Sequence, residues 1–220
     1  LSEQNANTSS YYGVIIITKT GTQVLNNTIQ NSTHLGISVW PGSSYATVSG
    51  NTIKTVIETG MNIDGDNHLI ENNDISDTRW SYLGSSLSGD ANGITIGKPT
   101  TGIVIRRNYI YDILFANQPP GGAPHIDAFQ TNFEDTLSSG TIIEQNRISF
   151  PQEAKSGTES SSGFMLSGAS NWIIRNNIIE SWVGVWTGSS GINQSMKIYN
   201  DTFISNIDWV NRYWGSGISL

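Results

Sequence analysis

The 220-residue chain has no cysteine. No disulfide can brace it, and this is neutral as to redox compartment because a stacked-repeat fold needs no such staple. Charge is scarce as well, at 13% of residues, and the balance is acidic: 11 Lys and Arg against 18 Asp and Glu, for a net charge of −7. That balance argues against nucleic acid and acidic membrane surfaces as partners. Long apolar runs are absent. The stretch 14–17 is far too short to cross a bilayer, and no signal-peptide pattern is visible. The chain opens at Leu1 rather than Met, as a processed or trimmed product would. No stretch has a convincing helical period. Low charge with abundant Asn, Gly, Ser and Thr fits a secreted or cell-surface protein. Asn-x-Ser/Thr sequons begin at Asn7, Asn26, Asn31, Asn193 and Asn200; chance explains most of them in such a composition, and they do not establish glycosylation.

What the chain does have is a repeat. An apolar residue, two spacers, Asn, one spacer and Ile occur from Val24 to Ile29, Val48 to Ile53, Ile70 to Ile75, Ile105 to Ile110, Ile143 to Ile148 and Ile174 to Ile179. A degenerate copy from Ile198 to Phe203 carries Asp201 in place of Asn. The Asn positions 27, 51, 73, 108, 146, 177 and 201 differ by 24, 22, 35, 38, 31 and 24. A floor near 22 with variable excess describes a fixed coil into which loops are inserted, the mark of a solenoid. Ahead of each motif stands a short alternating run: 13–17, 36–40, 60–64, 93–97, 125–129, 163–167 and 182–186. Alternation with period two predicts strands with one buried face. The Gly, Asn, Ser and Thr between the runs are turn formers. Strand, turn, strand, Asn turn and strand, repeated, describe a parallel β-helix of about seven coils. Each Ile should stack on the next, about 4.8 Å away. The Asn amides should form an Asn ladder that satisfies backbone groups at the bend.

This pattern resembles the right-handed, single-stranded parallel β-helix proteins of the pectate-lyase-like superfamily. The resemblance runs from about Gly13 to Phe203. It implies three strands per coil, with the Asn ladder between the second and third. The expected organisation is a polar lead-in over 1–12, the β-helix over 13–203, and an aromatic cap or start of a further coil over 204–220. The chain lacks the Asp-Asp, Gly-His-Gly and Arg-Ile-Lys elements of polygalacturonases and shows no match to the signature segments of pectate lyases. No specific activity transfers residue by residue.

The insertions 76–92, 111–124 and 149–162 all fall after the closing Ile of a motif and before the next first strand, so they share one edge. Such loops on a rigid scaffold are where function concentrates. In the resembling superfamily this edge and the outer face of the first strand form a saccharide cleft. Alternation puts Ser38, Trp40, Asn62, Asp64, Thr95, His125, Asp127, Phe129, Met165, Ser167, Trp182 and Trp186 on that outer face.

One coil stands out. His125 occupies the place that Gly holds in other coils, with Asp127 as its outward neighbour and Gln130 beyond. The segment resembles a His-x-Asp-x-x-Gln stretch of many β-helix proteins. His125 is a candidate base or acid, and Asp127 is its orienter, an acid or a Ca²⁺ ligand. Asp64, two coils away and so about 10 Å along the axis, would suit the second carboxylate of an inverting glycosidase. Arg79, Lys98 and Tyr111 are charge-neutralising or proton-transfer candidates for a lyase. Asn62, Phe129, Gln130 and Lys98 line the expected cleft. Trp80, Tyr82 and Trp186 are candidate sugar platforms, although packing of loops on the barrel is the better account of at least half of the aromatics. Asp90 and Asp112, with Asp64 and Asp127, are candidate Ca²⁺ ligands in the lyase case only. His34 and His68 read as bystanders. The expected protein is a secreted polysaccharide lyase or glycoside hydrolase. The alternative is a noncatalytic surface or fibre module that binds glycans or self-associates end to end.

Overall fold

The structure is a computed structural model that describes residues 13–80, 90–97, 100–118, 124–131, 138–150, 161–181, 183–187, 195–204 and 218–219. Its strands fall into three long parallel sheets in which spatial order follows chain order, so the chain winds as a helix of β-strands, and a short fourth sheet pairs Ser138–Ser139 with Ala169–Ser170. The first sheet has eight strands, from Gly13–Ile17 to Ile218–Ser219. The second has seven, from Gln23–Leu25 to Lys197–Tyr199, and the third has seven, from Thr28–Gln30 to Thr202–Ile204. First-sheet strands are mostly five or six residues long, and those of the other two sheets are three. The expected lead-in over 1–12 lies outside the described residues. So does most of 204–220, although Ile218–Ser219 pairs in parallel with the coil before it.

The turn chemistry explains the composition. Between the second and third sheets the chain bends through one left-handed residue followed by the motif Asn. The left-handed residues are Asn26, Gly50, Asn72, Arg107, Gln145, Asn176 and Asn200, with φ from 54° to 69°. Between the first and second sheets Gly21, Tyr45, Asn67, Gly102, Gly140, Asn171 and Ser195 do the same, with φ from 53° to 71°. Asn and Gly tolerate this region best, so a coil with two such corners uses them heavily.

The central residue of each short strand points inward. Ile29, Ile53, Ile75, Ile110, Ile148, Ile179 and Phe203 pair rung by rung in the third sheet. The six isoleucines are at most 5% exposed. Each fully buried Ile contributes on the order of 1.5–3 kcal/mol. The motif Asn side chains run beside them. Asn27, Asn51, Asn73, Asn108, Asn146 and Asn177 each donate Nδ2 to the Oδ1 of the next rung, at 2.8–3.1 Å. The same Oδ1 accepts the backbone N–H of the preceding rung's Asn. Asp201 ends the row among the described residues, its Oδ1 accepting both the backbone N–H and Nδ2 of Asn177.

The first sheet corrects the alternation in one coil. Ile94 pairs with Phe129, which in turn pairs with Phe164. Ala128 therefore takes the place of Gly93 and Gly163, and His125 does not. The frame shifts by three residues. Phe129, expected outward as a sugar contact, is fully buried and stacked on Phe164 with centroids 5.0 Å apart. Gln130 takes the outward place instead, paired with Thr95 and Met165. The reason is packing. Gly93 lies so close to the core that an added Cβ would sit 2.6 Å from Ile110 Cγ2, so this row admits only very small residues. Ala128 meets that limit and His125 does not.

Candidate active site

Two rows of polar side chains run along the outer face of the first sheet. One row is Ser38, Asn62, Thr95, Gln130, Met165 and Trp186, paired rung to rung. The other lies three residues earlier on each strand: Thr59, Asn92, Asp127 and Ser162. Hydrogen bonds weave the rows together. Asn92 Nδ2 donates to Gln130 Oε1 at 2.5 Å and lies 3.4 Å from Thr95 Oγ1. Thr95 Oγ1 donates to Thr59 Oγ1 at 3.2 Å. The Asp127 N–H donates to Asn92 Oδ1 at 3.1 Å. Gln130 Nε2 reaches Asp90 Oδ2 at 2.9 Å.

Three carboxyl groups gather at this network. Asp127 is 1% exposed. Ser162 hydrogen-bonds to it, yet its Oδ2 has no hydrogen-bond partner among the described residues. Burial, with the charge of Asp90 adding to it, raises the Asp127 pKa well above the usual carboxylate range. Glu58 precedes the strand Thr59–Ile63, and its pKa is raised by burial first and by Asp90 second. Its backbone is left-handed, at φ 65°, a conformation a Glu rarely adopts. The sequence reading missed Glu58. The one available signal was an acid immediately before a first-sheet strand.

The remaining candidates disperse. His125 is exposed and precedes the strand that carries Asp127. Asp64 lies at the far end of its strand, five residues beyond the Thr59 row and two rungs from Asp127. At about 3.3 Å per residue and about 4.8 Å per rung, the separation is about 19 Å. That is well outside the roughly 6.5–9.5 Å of an inverting pair, so the expected Asp64–Asp127 partnership fails. Asp64 instead accepts Asn62 Nδ2 at 3.0 Å, and its carbonyl meets His68 Nε2 at 3.0 Å. His68 is no bystander. Its Nδ1 accepts the Ala46 N–H, which fixes the neutral ring, and burial lowers its pKa.

Arg79 is committed to Asp77 at 2.9 Å. Trp80 is 1% exposed and belongs to the core, and its N–H donates to Gln118 Oε1, so it is a wall of the fold and not a platform. Gln118 also donates to the Thr78 carbonyl, and Asn117 Nδ2 reaches Asp77 Oδ1. These contacts pin the described bases of the first two insertions to one another. Tyr111 stacks on Tyr109 at 4.3 Å in the third sheet, away from the first-sheet rows. Asp112 is an exposed left-handed corner residue beside it. Trp186 shares the Gln130 row at 37% exposure. Lys98 and Tyr82 lie outside the described residues, as do parts of all three insertions. Among the described residues no group of three or more His, Asp or Glu is placed to hold a metal ion. The expected calcium set of Asp64, Asp90, Asp112 and Asp127 is therefore not assembled.

The comparisons bear on this geometry. A family model described as the right-handed beta helix region matches residues 12–220. The chain belongs to the right-handed β-helix family. Among solved structures, a right-handed β-helix of this kind is matched by an alginate lyase from Paenibacillus sp. strain FPU-7, at a TM-score of 0.55 and 14% identity, covering 89% of this chain and 74% of that one. At such identity the likeness is one of fold. No curated protein matches the chain in sequence.

Proposed function

We propose that this β-helix protein is a secreted or cell-surface enzyme that cleaves a polysaccharide on the outer face of its first sheet, with Asp127 as proton donor. The observation that carries the reading is the buried, incompletely partnered Asp127 carboxyl, hydrogen-bonded by Ser162 on the strand whose backbone Asn92 holds. A buried acid with an unmet oxygen costs stability, of the order of 1–3 kcal/mol. Its burial raises its pKa, toward the protonated state a general acid needs. The surrounding hydroxyls and amides of Thr59, Thr95, Ser162, Asn92 and Gln130 are the hydrogen-bonding groups that sugar hydroxyls require. A solved structure of the same fold is described as an alginate lyase, which is consistent with glycan chemistry on this scaffold. His125, at the exposed entry to the strand, is the second proton-transfer candidate.

Incubation with a panel of polysaccharides, read for new reducing ends and for unsaturated-uronate absorbance, tests this. Asp127→Asn should lower turnover at least about 100-fold on any polymer that is cut. Undiminished turnover would remove Asp127 from the chemistry.

A second reading, a noncatalytic glycan-binding module, draws on the degree to which Asn92, Thr95 and Gln130 satisfy one another and on the exposed Trp186 in the same row. Binding of a polymer with no cleavage would favour it.

A further inference from the structure

We infer that the site takes an uncharged glycan and hydrolyses it, and that its carboxyl groups exclude polyuronates. The inference rests on the glycan-cleaving reading above and names the substrate class and reaction of the same site.

The charge that meets the Asn92–Gln130 amide pair is acidic. Asp90 is held there by Gln130 at 2.9 Å. Asp90 is also the charge felt by both Glu58 and Asp127, and among the described residues no cation acts with it on either group. Arg79, a cation that the sequence suggested for this site, is bound to Asp77 through both Nε and Nη2, at 3.2 and 2.9 Å. The remaining partners are neutral: Thr59, Asn92, Thr95 and Ser162. A uronate placed on this strip would bring a carboxylate against Asp90 and Glu58 with nothing described there to neutralise it. Elimination at a uronate needs such a neutralising group, since the carboxylate must accept charge as the neighbouring proton leaves. Hydrolysis of a neutral sugar needs only an acid and a base.

The second observation is the orphaned atom. Asp127 is buried, and its Oδ2 has no partner among the described residues, although Ser162 hydrogen-bonds to the same carboxyl. Buried polar atoms are almost always paired, so an unpaired one on a strip of hydrogen-bonding groups marks the place of a ligand atom. The step balances with water alone. Asp127 gives its proton to the glycosidic oxygen as the bond from that oxygen to the anomeric carbon breaks. A water molecule forms the new bond to that carbon, and its proton passes to Asp90. One water is consumed, two shorter glycans leave, and proton exchange with solvent restores both carboxyl groups.

The test uses the full chain with neutral polymers (a β-glucan, a xylan and a mannan) and two polyuronates (alginate and polygalacturonate). The expected result is new reducing ends from a neutral polymer, no unsaturated-uronate absorbance from either polyuronate, and at least about a 100-fold loss of neutral-polymer turnover in Asp127→Asn. Asp90→Asn, which keeps an acceptor for Gln130, should strengthen polyuronate retention in affinity electrophoresis at least about tenfold. Unsaturated products from a polyuronate would overturn this inference while leaving the polysaccharide reading in place. Unchanged polyuronate retention by Asp90→Asn would overturn the charge-exclusion argument, and a neutral polymer bound but never cut would overturn hydrolysis. Failure to bind or cut any of the five would overturn both the inference and the reading beneath it.

Discussion

Asp127 shows how one residue can be costly to the fold and still be retained. Its carboxyl binds a proton more tightly in the folded chain than in the unfolded one, because burial penalises the anion and Asp90 adds to the penalty. The folded state therefore holds more protons than the unfolded state once pH passes the unfolded carboxylate range, about 3.9. Stability from this group is fully present below that pH and is lost as pH rises toward the folded value. Asp127→Asn removes the titration and keeps the shape. We expect the variant to melt higher than the native protein at pH 7, and the gap to close as pH falls toward 4. Calorimetry at both pH values checks this; a variant that melts lower at pH 7 would assign the carboxylate a structural role. Glu58, raised for the same first cause, should behave alike with a smaller gain, since it is only half-buried.

At the scale of the element, the rung is the unit. Asn108 accepts the backbone N–H and Nδ2 of Asn73, and donates to Asn146 Oδ1 and the Ile70 carbonyl. Asn108→Ala leaves several of these groups buried and unpaired and should cost about 1–3 kcal/mol in denaturant unfolding. No measurable change would mean that Asn serves only the turn. The neighbouring Ile110 lies between Ile75 and Ile148, fully buried. Ile110→Asp would place an unpaired charge inside the coil and should prevent native folding, seen as loss of the cooperative melt. The outer face of the second sheet adds a charge row on the same rungs, with Arg106 on Glu71 at 2.8 Å and Arg175 on Glu144 at 2.6 Å. Opposite charges on adjacent rungs favour this register over a slipped one, although exposed pairs of this kind contribute little to stability.

For the whole molecule, each coil touches only its neighbours, so stability is a sum of coils and interfaces. The central coils carry the aromatic stack of Phe129 and Phe164 and the buried bases of the insertions. The first coil leaves Val14 and Ile16 exposed, and the last leaves Tyr199 and Ile204 exposed. Amide hydrogen exchange should therefore be slowest in the strands Asn92–Ile96, Ile126–Thr131 and Ser161–Leu166 and faster in Gly13–Ile17 and Thr202–Ile204. Uniform protection along the chain would show that the coils open as one body.

The sequence by itself determined the coil. The Asn motif repeats a local rule, a left-handed corner followed by an inward amide and an Ile, and every copy obeys the same short-range sterics. The fold class, the Ile stack and the placement of the three insertions between the third and first sheets were all legible on that basis. The frame of the fifth first-sheet strand was not. It depends on which residue fits beside a neighbouring coil: the Gly93 rung has no room even for a Cβ, and on the next rung the small Ala128, not His125, takes the same row. Only the tertiary structure could place Phe129 inside, send Asp64 to the far end of its strand, bury Trp80, and bring Asp90 to both Glu58 and Asp127. Those are contacts between residues some 35 or more apart in the chain or across different strands, and alternation along one strand carries no information about them.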